Sequence, residues 1–391
     1  MPCTDPMTSP RPGRSTIAVH GTPHRIPDGA PVVQPVYQST TYALPVGGGS
    51  EVLYERYGNT PNQTALARKY ALLEGAEAAI VVGSGAAATA LAHLAVLRPG
   101  DHLLASAWIY GGTKLFFDEE LGRFGIDVTY VDPSQPRAWR RAVRKNTRAV
   151  FLESPTNPLM RVVDPAPIAA IARESGLALL VDSTFASPIN FRPLEHGADV
   201  VITSATKYLN GHSDVTGGAV AGAQAVIDEV ARLARIWGPA LSSHAAWLLD
   251  RGLKTLALRM ARHNTNGLAV ATWASRQAGI SAVFYPGLPD HPDQAVASRL
   301  LDGYGGMVGI ALAGGVRAAE TVLRRLRIFS HAPSLAGVES LVSEPRLTSH
   351  AAMSSEQRSA IGIPDGFLRL SCGIEDADDL IADLRHGLDG L

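Results

Sequence analysis

Leu177–His212 reads LALLVDSTFASPINFRPLEHGADVVITSATKYLNGH. Two apolar runs, Leu177–Asp182 and Asp199–Thr203, flank a turn-rich middle. Neither run alternates apolar with polar, which is the pattern of a strand buried on both faces. Each run ends in chemistry: Asp182 closes the first, and Ser204-Ala205-Thr206-Lys207 follows the second. Working outward, Thr60-Pro61 marks a helix start, Leu66, Tyr70 and Leu73 share one helical face, and Gly75 closes it. Ala79–Val82 reads as a strand, and Gly83-Ser84-Gly85 turns the chain into a helix over Ala86–Leu97. His102–Ser106, Asp127–Val131 and Ala149–Glu153 complete the strand set, separated mostly by helical segments. Alternating buried strands and helices predict an α/β fold with a mainly parallel sheet covered on both faces, whose ligands sit beyond the carboxyl ends of the strands.

After about residue 250 the pattern changes. A long helix is expected over Leu253–Arg276, strands near Val308–Ala313 and Phe367–Ser371, and a last helix over Asp376–Gly387. The expected division is an N-terminal arm over 1–59, a large domain over 60–252 and a smaller C-terminal α+β domain over 253–391. Met1–Arg14 holds four prolines and no apolar run, so it is expected to be a flexible arm and not a targeting segment.

Composition narrows the function classes. The 391 residues carry 35 Lys+Arg against 36 Asp+Glu, a net charge of −1, which gives no basic footprint for nucleic acid. Hydrophobic residues make up 46% and charged residues 18%, a globular balance too apolar for disorder. No apolar stretch is long enough to span a bilayer; Ala86–Leu97 is broken by Thr89 and His93. The two cysteines, Cys3 and Cys372, cannot build a disulfide framework, and a cytoplasmic location is expected. The histidines show no metal-ligand spacing, so no metal is assigned.

Lys207 stands at the active end of the sheet between two hydroxyl residues. A lysine held there can lose its proton through burial and form a Schiff base with a carbonyl cofactor, while Ser204 and Thr206 could donate to a phosphate. Asp182 is either a cap and turn residue or the acidic partner of a pyridinium nitrogen. Opposite charges ~4 Å apart at an effective dielectric of ~20 attract by about 4 kcal/mol, roughly three pKa units, enough to keep a pyridine ring protonated near neutrality. Gly83-Ser84-Gly85 offers free N–H groups to an anion, a weak signal by itself. It is neither a P-loop nor a dinucleotide fingerprint.

SATKYLNGHSD with Lys207, LLVDSTFASP with Asp182, YERYGN with Tyr54 and Arg56, and FLESPTNP with Asn157 resemble the Cys/Met-metabolism group of pyridoxal-phosphate enzymes. That group includes cystathionine γ-synthase and γ-lyase, methionine γ-lyase and O-acetylhomoserine sulfhydrylase. Later stretches carry the same resemblance: RGLKTLALRM, YPGLPDHP, SLAGVESL and FLRLSCGIED. The resemblance implies the fold-type I architecture of pyridoxal-phosphate enzymes. It implies pyridoxal 5′-phosphate as cofactor, with Lys207 joined to it and then moving substrate protons. Asp182 would pair the ring nitrogen, Tyr110 would stack on the ring and serve as acid–base, and Asn157 would contact the ring hydroxyl and help bind substrate. Gly85 and Ala86 amides with the Ser204 and Thr206 hydroxyls would hold the phosphate. Arg369 would clamp the substrate α-carboxylate, with Ser334 beside Lys207. Tyr54 and Arg56 would reach the phosphate of a neighbouring subunit, implying a dimer with shared sites, with dimers pairing into a homotetramer.

Three departures bear on substrate. Lys114-Leu115 stands where cystathionine enzymes commonly carry an arginine shortly after YGGT; Pro333 stands where they often have glutamate; Gly112 stands where methionine γ-lyases carry a reactive cysteine. The resulting expectation is γ-elimination or γ-replacement on a sulfur-containing or O-activated homoserine-type L-amino acid, of the methionine γ-lyase or O-acylhomoserine thiol-transferring kind. The alternative is cystathionine γ-lyase or cystathionine γ-synthase. A non-catalytic cofactor-binding protein would bind cofactor without answering any amino acid, and a plain aminotransferase would keep the γ-substituent.

Overall fold

The computed structural model describes residues 12–391 apart from residue 352. The proposed flexible arm therefore lies outside the described residues as far as residue 11, and so does Cys3. Arg14 already begins the helix Arg14–His20, and its guanidinium donates to the Ile189 carbonyl at 2.6 Å.

Seven strands form the larger sheet: β1 (Ala78–Val82), β2 (His102–Ser106), β3 (Asp127–Val131), β4 (Thr147–Glu153), β5 (Ala178–Asp182), β6 (Val200–Thr203) and β7 (Gly218–Gly222). Their order is β1-β7-β6-β5-β4-β2-β3, and β7 runs antiparallel to both neighbours while the other pairings are parallel. Alternate residues of the continuous apolar runs serve opposite faces. Leu103, Phe151, Leu180 and Ile202 join one buried cluster with the helices Gly85–Val96 and Gln224–Trp237. Leu104, Leu152, Leu179 and Val181 join another with the helix Pro165–Glu174. This two-sided burial is why these strands carry no polar alternation.

A second sheet has β8 (Ile280–Phe284), β9 (Met307–Leu312), β10 (Ser330–His331), β11 (Leu341–Ser343) and β12 (Phe367–Ser371), in the order β10-β11-β12-β9-β8. Only β10 and β11 pair in parallel. No helix among the described residues is long and apolar enough to cross a membrane.

The strands β7, β8, β10 and β11 are absent from the sequence expectation. β7 reads GAVAG, with Val220 as its one branched side chain among glycine and alanine, too little to signal a strand. Its glycines answer a steric demand: a Cβ on Gly218 would fall 2.1 Å from the Ser84 carbonyl oxygen. The helix expected from Leu253 instead begins at Leu256, after the helix Ser243–Leu253 ends and the chain turns through Lys254 and Thr255.

The start of that second helix secures the segment after Lys207. Buried Arg259 donates to the carbonyls of Tyr208 at 2.7 Å, Leu209 at 3.3 Å and Gly252 at 2.8 Å. Gly211 adopts φ +70°, and a Cβ there would fall 2.0 Å from the Arg259 guanidinium. Arg259→Met should destabilise the protein by ~3 kcal/mol, because three buried carbonyls lose charge-assisted donors at once. Urea unfolding measures this; a loss below ~1 kcal/mol would mean those carbonyls find other partners.

Candidate active site

The parallel strands all release the chain on one side, so the segments after β4, β5 and β6 converge there. Glu153 and Asp182 close β4 and β5 in direct register. Past Asp182, its Oδ1 accepts from the Thr184 amide at 2.9 Å, and the Thr184 hydroxyl accepts from the Ser204 amide at 2.9 Å. Ser204 in turn faces the start of the helix Gly85–Val96: a Cβ on Gly85 would lie 2.7 Å from Ser204 Cβ and 2.8 Å from its Oγ. A helix leaves its first amides, here those of Gly85 and Ala86, without acceptors of its own. The turn therefore gathers donors for an anion, with no room for a side chain at Gly85. The Thr206 hydroxyl is engaged locally, accepting from the Gly217 amide at 2.9 Å, and must turn to serve the same anion.

Lys207 Nζ donates to Ser334 Oγ at 2.8 Å. Ser334 sits at φ 82°, a region that side-chain-bearing residues rarely occupy. Its carbonyl accepts from Arg369 Nη2 at 3.0 Å, and Arg369 Nη1 donates to Asn157 Oδ1 at 2.9 Å. Arg369 lies in the middle of β12, so these bonds join the second sheet to the first. The guanidinium is 4% exposed, yet its Nε has no protein acceptor among the described residues. Tyr110, 45% exposed, precedes the helix Gly111–Leu115, and its amide donates to Glu153 Oε2 at 2.6 Å.

Electrostatics set the protonation states. Burial first, then the Arg369 charge, push the Lys207 ammonium down to about 8. Burial raises both carboxyls at the strand ends, and the neighbouring Asp182 charge helps push Glu153 up to about 8. A cation opposite this pair would relieve the cost of burying it.

Ten of the twelve residues singled out in the sequence thus stand in one connected region: Lys207, Ser334, Arg369, Asn157, Tyr110, Asp182, Ser204, Thr206, Gly85 and Ala86. Tyr54 and Arg56 do not join them within one subunit. Arg56 donates to the Arg235 carbonyl, its guanidinium stands 5.2 Å from the Tyr57 ring centroid, and Tyr54 is 37% exposed. Sequence reasoning missed Glu153 and Thr184. The available signal for Glu153 was the one that found Asp182, a carboxylate closing an apolar strand.

These features fit pyridoxal phosphate. The Gly85 turn suits a phosphate, the acidic strand ends suit a protonated ring nitrogen, the depressed amine suits an aldehyde, and the unpaired Arg369 Nε suits a carboxylate. In the cofactor-free protein, Arg369→Met should raise the pH midpoint at which a small aldehyde with cyanoborohydride labels Lys207, since the charge that helps hold the proton off is gone. Peptide mapping across pH reads the midpoint; an unchanged value would leave burial as the sole cause.

The family described as Cys/Met metabolism PLP-dependent enzyme matches residues 15–389. The chain is 39% identical over 388 residues to L-methionine gamma-lyase of Pseudomonas putida, covering 96% of this chain and 97% of that one. It is 41% identical over 381 residues to cystathionine gamma-synthase of Mycobacterium leprae, covering 96% and 97%. The solved structure of cystathionine gamma synthase from Xanthomonas oryzae pv. oryzae, in complex with aminoacrylate and cysteine, superposes with a TM-score of 0.92 at 37% identity, covering 99% of this chain and 98% of that one. With match, fold and site in agreement, this chain belongs to the Cys/Met-metabolism family of pyridoxal-phosphate-dependent enzymes.

Proposed function

We propose that the protein catalyses γ-elimination or γ-replacement on a sulfur-containing or O-activated homoserine-type L-amino acid with an uncharged γ-substituent. The observation that carries this reading is the engagement of Lys114, which occupies the region where a cystathionine enzyme would place its distal-end arginine. Its ammonium pairs with Asp118 at 2.5 Å and lies 4.4 Å from the Tyr130 ring centroid, so a distal carboxylate would have to compete with both for it. Pro333, beside Ser334, offers no charge either.

Bound pyridoxal phosphate supplies an electron sink for the charge that develops at the substrate α-carbon. Asp182 would hold the ring nitrogen in its protonated form, and the Gly85 and Ala86 amides with the Ser204 and Thr206 hydroxyls would hold the phosphate. Arg369 binds the α-carboxylate, with its unpaired Nε as the added donor, and Asn157 braces the guanidinium from the other side. Lys207 Nζ would take the proton from Cα, release it to the cofactor side, and only then, as a free amine again, take one from Cβ. Tyr110 donates to the departing γ-group. Its half-open position leaves it in reach of a substrate.

The full reading is a cytoplasmic homotetramer built from dimers with shared sites, with the arm, large and small domains meeting near 59/60 and 252/253. What supports the shared sites is that Tyr54 and Arg56 are exposed and make no contact with the Lys207 region in their own subunit among the described residues.

Purified enzyme assayed with L-methionine, O-acylhomoserines and cystathionine, with and without a thiol, tests the substrate reading. Methionine or an O-acylhomoserine should exceed cystathionine by at least ~10-fold in kcat/KM, about 1.4 kcal/mol of discrimination; cystathionine turnover above the others would establish the cystathionine alternative. Sharing of sites is tested by mixing Lys207→Ala with Arg56→Ala protein. Exchange of subunits should restore activity neither variant has alone, and no recovery despite exchange would place both residues in the same site.

A further inference from the structure

Glu153 is 4% exposed, and both of its oxygens are committed. Oε2 accepts from the Tyr110 amide at 2.6 Å and Oε1 from the Asn157 amide at 2.8 Å. Asn157 then acts as an adaptor, because its amide N–H donates to Glu153 Oε1 while its Oδ1 accepts from the Arg369 cation at 2.9 Å. A single carboxylate therefore fixes two loops at once, the one that carries Tyr110 and the one that carries Asn157. Among the described residues, its hydrogen-bonded route to Arg369 runs through the neutral Asn157 amide.

We infer that Glu153 is a positioning residue for substrate binding, holding Asn157 so that Arg369 presents its guanidinium to the α-carboxylate while Tyr110 stays registered on the same anchor. The assignment rests on the proposed role of Arg369 and adds to it. Two backbone donors call for two acceptor oxygens, which a carboxylate provides and an amide does not. In Glu153→Gln one donor faces an NH2 group, so one loop loses its anchor. The consequence is selective: ligands gripped through a carboxylate weaken, while those held only through their amine do not.

The matched probes are L-norleucine and n-pentylamine, which differ only in the α-carboxylate. Each is titrated into the holoenzyme, following the absorption of the bound cofactor, with wild-type and Glu153→Gln protein of verified melting temperature. Norleucine affinity should fall at least ~10-fold in Glu153→Gln, with pentylamine unchanged within ~2-fold, since charge-assisted hydrogen bonds of this kind are worth at least a factor of ten. Equal weakening of both probes, or no change in either, overturns the assignment of Glu153 while leaving the proposed function intact. A wild-type holoenzyme that answers neither probe removes the proposed function and this assignment with it. If Glu153→Gln does not fold, Glu153→Asp replaces it. That variant keeps both oxygens but draws them back by one methylene, and the same selective loss is expected and the same equal loss refutes it.

Discussion

Two carboxylates ending adjacent strands of an apolar sheet are the constraint around which this site is arranged. Neither Glu153 nor Asp182 can be buried cheaply, and their register makes each raise the cost of the other. The protein answers with directed N–H donors, two on Glu153 and one from Thr184 on Asp182. It keeps its nearest buried guanidinium one amide away, on the far side of Asn157. A direct Arg369–Glu153 pair would consume the cation. With Asn157 interposed, Arg369 remains available to an incoming anion, and the carboxylate pair remains open to an incoming cation. The site is thus matched to a cofactor with a positive ring and a substrate with a negative carboxylate.

Close backbone approach secures the other end. Gly218 lies against the Ser84 carbonyl and Gly85 against Ser204, so that β7, the helix over Gly85–Val96 and the segment after β6 meet where no side chain fits. Gly112 is different. A Cβ there would fall 2.5 Å from Tyr110 Cε1, so the obstacle is an aromatic ring that can turn and not a backbone. A side chain at position 112 would therefore have to share its space with the Tyr110 ring. The turn at Gly85 is held rigidly by backbone, while the turn at Gly112 is shaped by a side chain able to move.

The strands of the large sheet and the residues at their carboxyl ends were legible because two-sided burial writes itself as unbroken apolar runs, and a charged residue closing such a run stands out. Lys207 and Asp182 were found this way. β7 was not, because its two terminal glycines are there to lack side chains, and GAVAG carries no periodic signal. The short strands β10 and β11 were missed for want of length. Glu153 was passed over although it ends β4 as Asp182 ends β5. Its meaning depends on the register between strands, which a single run of residues does not reveal. Tyr54 and Arg56 entered through resemblance alone, and one subunit gives them no contact with the Lys207 region.

The link between the two sheets explains why the reactive amine needs the second one. Lys207 follows β6 of the large sheet, but the charge that helps hold its proton off belongs to Arg369 on β12. Ser334, strained at φ 82°, is gripped from both directions, its hydroxyl by Lys207 and its carbonyl by Arg369. A motion that carries β12 away from the strand ends would break the Arg369–Ser334 bond and remove the Arg369 charge from Lys207. Holding Lys207 ready to accept a substrate proton is therefore a property of the assembled pair of sheets, and binding of a carboxylate at Arg369 acts on the same guanidinium. In the proposed reaction, a carboxylate at Arg369 would neutralise that charge and make the amine a stronger base for the α-carbon proton.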